Sequence, residues 1–190
     1  MDDDRSLQRR RKRPPKPLDP ARLEDMALAY VARFSTSAAK FERYLTRKLR
    51  ERGWQGEEEP PVAATVERYV ALGYVDDESY ARMKSGSQLR RGYGARRVNQ
   101  ALGEAGIAEE LRAEVAPREV AAREAAAVYA RRRRFGPFGA ARPDPVIREK
   151  QLAAIVRAGH GFDAARALVD AASVAEVEQW IDAAREEEES

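Results

Sequence analysis

The sequence predicts an all-α protein: three tandem three-helix repeats in an elongated, curved array, with an extra C-terminal helix. Three observations carry this reading. A leucine–glycine signature recurs at one step: Leu49 with Gly53, Leu102 with Gly106 and Ile155 with Gly159, successive copies lying 53 residues apart. Each glycine closes a run of helical periodicity, where a residue of positive φ commonly ends a helix. A repeat of this length indicates stacked supersecondary units rather than one closed core. The second observation is composition, since Ala, Leu, Glu and Arg dominate and all are good helix formers. The third is the lack of alternating β-branched runs, which argues against strands.

Each element has its own local reason. Residues 1–18 are charged, contain prolines and lack periodicity, so they read as a disordered basic tail. Asp19-Pro20 then supplies an N-cap with proline in the first turn. Leu23, Ala27, Tyr30, Val31 and Phe34 follow at helical spacing. Ser35-Thr36-Ser37 breaks that helix and caps the next, whose face is Phe41, Leu45 and Leu49, up to Gly53. Gln55 to Pro61 is a loop, and a third helix carries Val66, Tyr69 and Val70 to Leu72-Gly73.

Asp76 or Asp77 caps the helix that runs through Tyr80, Met83 and Leu89. Gly92-Tyr93-Gly94 separates it from a helix with Val98, Ala101, Leu102 and Ala105. Glu109 to Val115 forms a short helix, ended by Pro117. The third unit starts near Glu119 with an apolar stripe of mostly small residues, Val120, Ala121, Ala125 and Val128, and its first helix ends in four arginines, Arg131 to Arg134. After a glycine- and proline-rich loop, Asp144-Pro145 repeats the cap-plus-proline device. Ile147, Leu152, Ile155 and Val156 line the next helix, and Phe162, Ala165, Leu168 and Val169 the one after it. Ser173 to Glu176 is a capping box that starts a final helix with Val177, Trp180 and Ile181. The expected boundaries are a tail over 1–18, repeats over 19–75, 76–118 and 119–173, and a C-terminal helix with an acidic tail over 174–190.

Composition narrows the function. The absence of cysteine removes disulfides and thiolate chemistry. There is no secretory segment or apolar run of membrane-spanning length, so a cytoplasmic protein is expected. The single histidine, His160, sits between two glycines with no partner at ligand spacing, and reads as an exposed loop residue. No GxxxxGK[ST] loop is present, so neither a catalytic site nor a cofactor or metal is expected. Asp76, Asp77 and Glu78 have the chemistry of a nuclease metal cluster. Carboxylates at a helix start have a simpler role, accepting from free backbone N–H groups and complementing the helix dipole.

Basic residues are the better candidates for binding. Arg43, Arg47 and Arg50 recur at helical spacing, and Arg96 lies one repeat step after Arg43. Arg90, Arg91 and Arg97 lie near it, and Arg131, Arg132, Arg133 and Arg134 form a run without acidic residues. Equivalent positions in a stacked array tend to share a face, so these arginines are expected to form a basic strip suited to phosphates or acidic protein surfaces. The alternative for each is a solvated helix surface with local Glu–Arg pairs. Tyr74, Tyr80 and Trp54 read as packing residues rather than stacking platforms.

The run Leu72-Gly73-Tyr74-Val75-Asp76-Asp77-Glu78-Ser79-Tyr80-Ala81 resembles the central signature of the RecX family of bacterial regulatory proteins. Gly94-Ala95-Arg96-Arg97-Val98 and Leu102 to Ile107 resemble that family's second repeat, and Ala27 to Gly53 its first. The resemblance covers about residues 20–175. It implies three three-helix repeats and a modulator of the RecA recombinase that binds the groove of the RecA–DNA filament and typically inhibits its ATPase and strand exchange. The family more often has a continuous basic helical run where this chain has Ser85-Gly86-Ser87. The expected partner is therefore the RecA nucleoprotein filament, with single- or double-stranded DNA as a further direct partner, and the expected state is a monomer. A general DNA-binding helical protein acting without RecA is the alternative.

Overall fold

The computed structural model describes residues 16–190, and among these it contains ten α-helices and no β-strand. Three helices form the first unit: α1 (Pro20–Arg33), α2 (Ala38–Arg52) and α3 (Val62–Ala71). The second holds α4 (Asp77–Arg90), α5 (Ala95–Glu104) and α6 (Glu109–Glu114). The third holds α7 (Glu119–Arg133), α8 (Pro145–Arg157) and α9 (Phe162–Asp170), followed by α10 (Val174–Glu189). Side chains of Asp19, Ser37, Asp76, Asp144 and Ser173 each accept from a backbone N–H in the first turn of their helix. Each such bond satisfies a donor that the helix leaves free.

The units have separate cores. The first gathers Leu23, Ala27, Phe41, Leu45, Tyr69 and Val75. The second gathers Tyr80, Ala81, Val98, Leu102, Ile107 and Val115. The third gathers Ala126, Ala130, Leu152, Ile155, Leu168 and Val177. Alanines in α7 let α9 and α10 pack closely against it. Ser85 is buried inside α4 and donates to the Val115 carbonyl at 3.2 Å, so a small polar residue there ties α4 to the end of α6.

Five expectations need correction. Leu18 belongs to the fold rather than to a tail: it is fully buried, and its N–H and C=O pair with Gly53 and Gln55. The rest of the expected tail, up to residue 15, lies outside the described residues. His160 is buried, because its loop is pressed between the second and third units. Phe162 is 58% exposed, since it opens α9 beyond the reach of a core that this helix enters at Ala165. Ile147, in the first turn of α8, is likewise exposed, whereas Leu152 and Ile155 face the core. Tyr74 is exposed rather than buried in packing, its ring tilted against that of Tyr69 with centroids 5.6 Å apart.

Candidate functional site

The units meet end to end through their second helices, in the same way twice. At the first joint the N-terminus of α2 meets the C-terminal end of α5. The Ser37 hydroxyl, while capping α2, donates to the Ala105 carbonyl at 2.6 Å. At the second joint the N-terminus of α5 meets the C-terminal end of α8, where the Gly94 N–H donates to the Ala158 carbonyl at 3.0 Å. Ala105 and Ala158 stand one repeat step apart, each just before a signature glycine.

Those glycines have a second task. Gly106 has φ +79°, and a Cβ on it would lie 2.3 Å from the Ala39 Cβ. Gly159 has φ +100°, and a Cβ there would lie 2.6 Å from the Arg97 nitrogen. Both let the preceding unit's second helix approach closely, besides reversing the chain.

Charged side chains complete the joints. Arg43 donates to the Glu104 carbonyl at 2.8 Å, and Arg96 to the carbonyls of Val156 and His160 at 3.0 and 3.1 Å. Each guanidinium thus places positive charge at the C-terminal, negative end of the neighbouring helix. Asp76 caps α4 through Ser79, and those hydrogen bonds hold its carboxyl below the usual carboxylate range. Asp77 instead reaches across the joint and accepts from the Ala38 N–H at 2.8 Å, capping α2. At the second joint, His160 donates from Nε2 to the Gly92 carbonyl at 3.0 Å, since a carbonyl can only accept. Burial lowers the His160 pKa, and the nearby positive charge of Arg96 pushes it the same way.

Beside the first joint runs a groove of about 680 Å3 between the first two units. Lys40, Arg43, Arg47, Lys84 and Arg97 line it, and Glu104 is the acidic residue in its wall. Lys40 donates to the Tyr80 hydroxyl at 3.0 Å, and Arg97 lies over the Tyr93 ring at 4.4 Å. Among the described residues, no ion pair ties down Lys40, Arg43, Lys84 or Arg97. Arg47 has a loose pair with Glu51 at 3.7 Å.

The structure therefore divides the basic residues expected from sequence. Arg43, Arg47 and Arg97 come together in the groove, with Arg96 turned into the second joint. Arg50, Arg90 and Arg91 are exposed outside the groove lining. Arg132 bonds the Arg91 carbonyl at 3.0 Å, Arg131 lies over Phe138, and Arg133 over Tyr129. Arg134 ends α7 in the left-handed conformation at φ 56°. Sequence reasoning missed Lys40 and Lys84, isolated cations with no local run to mark them. The Leu72–Ala81 motif is explained by position: Gly73 turns the chain at positive φ, Val75 enters the first core, and the two aspartates cap two different helices.

Comparison with known proteins agrees with this architecture. The family model described as RecX, second three-helix domain, matches residues 76–115, the segment from the α4 cap to the end of the second unit. The regulatory protein RecX of Myxococcus xanthus is 35% identical over 179 residues, covering 88% of this chain and 94% of the relative. That of Thermus thermophilus is 37% identical over 107 residues, covering 56% and 71%. The crystal structure of RecX from Lactobacillus salivarius superposes with a TM-score of 0.59 at 14% identity, covering 86% of this chain and 96% of that one, a likeness of fold.

Proposed function

The chain belongs to the RecX family of regulatory proteins, and on that premise we propose that it regulates a RecA recombinase by binding the RecA–DNA filament and inhibiting its ATPase and strand exchange. One observation supports this above the others: a groove of five cations and one carboxylate beside a joint that recurs along the array. A filament presents the same surface at a regular step, and an array of repeated units can meet it at more than one point. Lys40, Arg43, Lys84 and Arg97, which have no carboxylate partner among the described residues, keep their field for an acidic surface or phosphates. Binding across neighbouring protomers would hinder subunit addition and the ATP turnover coupled to it. The protein would act as a binding module in the cytoplasm, with no catalytic group or cofactor of its own. Among the described residues no helix is long and apolar enough to cross a membrane.

The test is the single-stranded-DNA-dependent ATPase of the cognate RecA, with this protein titrated in below stoichiometry. A fall in rate at low ratios is expected. If inhibition begins only once the protein coats the DNA, and weakens steeply with salt, the protein is a general DNA binder and the proposal fails.

A further inference from the structure

The two joints leave the array with two unmatched ends. At each joint the residue that caps the start of a second helix is buried, Ser37 in one and Gly94 in the other, against Ala105 and Ala158 at the end of the next. Their counterpart at the start of α8 is Asp144, and it is exposed. Counted from these caps, Leu45, Leu102 and Leu152 coincide and all are buried. In the same register Val146 and Ile147 take the places of Ala39 and Lys40. They are 64% and 45% exposed, an apolar pair where a repeat array normally ends in a polar face. The other end belongs to α2. One repeat step before Glu104, Ala105 and Gly106 stand Glu51, Arg52 and Gly53. A Cβ on Gly106 or Gly159 would strike the preceding unit, whereas one on Gly53 meets nothing within 4 Å among the described residues. Leu18 donates to the Gly53 carbonyl on another side and leaves that side open.

We propose that these ends are the halves of a third joint, through which a second copy of this chain stacks head to tail, the start of α8 in one copy meeting the end of α2 in the next. The repeat identifies the occupant. Twice within the chain the start of a second helix meets the end of an equivalent one, and the end left over is that of α2. Side chains match across the gap. Lys150 takes the place of Arg43, which at the first joint donates to the Glu104 carbonyl, and the Glu51 carbonyl is its counterpart. Arg50, exposed in the last turn of α2, is opposite in sign to the exposed Asp144. A symmetric pairing of two α8 ends would instead set Asp144 against Asp144. Contact between different faces does not close on itself, so copies add in open chains. Two helix ends make a contact below the roughly 1,200 Å2 of stable interfaces, so assembly needs high concentration. The monomer expected from sequence is then the dilute form. This contact requires no RecA, so it stands or falls apart from the regulatory role proposed above.

Sedimentation equilibrium of the full chain, from about 10 µM to about 1 mM, tests it. The weight-average mass should rise with concentration past that of a dimer. Val146→Glu puts an acid in the first turn of α8, where the helix dipole favours it, and should remove the rise. Gly53→Ala should also remove it, since the added methyl would strike the incoming helix as it would at Gly106. Circular dichroism should show both variants as helical as the unaltered chain. Each variant keeps one half of the joint, so a mixture of the two should form dimers and stop there. A chain that stays monomeric over the whole range would overturn the third joint. Self-association that survives Gly53→Ala, or a mixture of the folded variants that stays monomeric, would overturn the head-to-tail arrangement.

Discussion

Gly53 and Gly106 occupy equivalent places at the ends of α2 and α5, yet they should differ in what they tolerate. Both have positive φ, which costs a side chain roughly 1–2 kcal/mol. Around Gly53 there is open space, whereas at Gly106 an added methyl would meet Ala39. Gly106→Ala should therefore cost about 1–3 kcal/mol beyond Gly53→Ala, the usual penalty of overpacking; denaturant titration of both variants reads the difference. Asp77 differs from Asp76 in the same manner, because it caps the helix of another unit. Asp77→Ala should cost about 1 kcal/mol, the loss of one N-cap, with hydrogen exchange rising at the start of α2 rather than α4. His160 gives the second joint its pH dependence. Its folded pKa lies below the usual value of 6.5, so below about 6.5 the unfolded chain binds more protons than the folded one. Its contribution to stability is thus full above that pH and is lost as pH falls. Thermal melting should drop as pH falls from neutral to below about 6.5, and His160→Gln should flatten the drop, since no other histidine titrates there.

The helices themselves were largely legible in the sequence, because caps act over three or four residues. Asp19, Ser37, Asp144 and Ser173 all cap where the local pattern placed them. The joints were not legible, since Ser37 pairs with Ala105 and Gly94 with Ala158, partners far apart in sequence. The signature did mark the right glycines, but periodicity alone does not show that a helix end is pressed against another helix. The step also hides a difference in length: α2 has 15 residues and α5 has 10, so Leu45 rather than Leu49 matches the buried Leu102 when the helices are aligned from their caps. The last helix is more than an extension. Val177 enters the third core, Glu188 accepts from the Val120 N–H at 2.9 Å, and Arg123 donates to the Trp180 carbonyl at 2.6 Å. The chain's closing glutamates thus include a cap for α7, which lacks a side-chain cap of its own. Removing residues 174–190 should expose the third core and raise hydrogen exchange in α7, while α1 to α3 keep their protection.

At the scale of the whole molecule, charge has been sorted by the joints. The four-arginine run was the plainest basic feature of the sequence, but its members lie around the second joint and the loop after α7. The groove at the first joint draws its cations from α2, α4 and α5, so no single stretch of sequence announces it. This placement also decides which charge reversal is informative. Arg96→Glu would break the second joint as well as alter the surface, whereas Lys84 and Arg97 contribute their charges to the groove without a carboxylate partner among the described residues. The most direct test of the account is the inhibition of the cognate RecA ATPase by the double variant Lys84→Glu, Arg97→Glu, with its fold checked by circular dichroism. At least about ten times more of this variant should be needed for equal inhibition, a loss of roughly 1.4 kcal/mol or more. Inhibition by the folded variant at the same low ratio as the unaltered protein would contradict it.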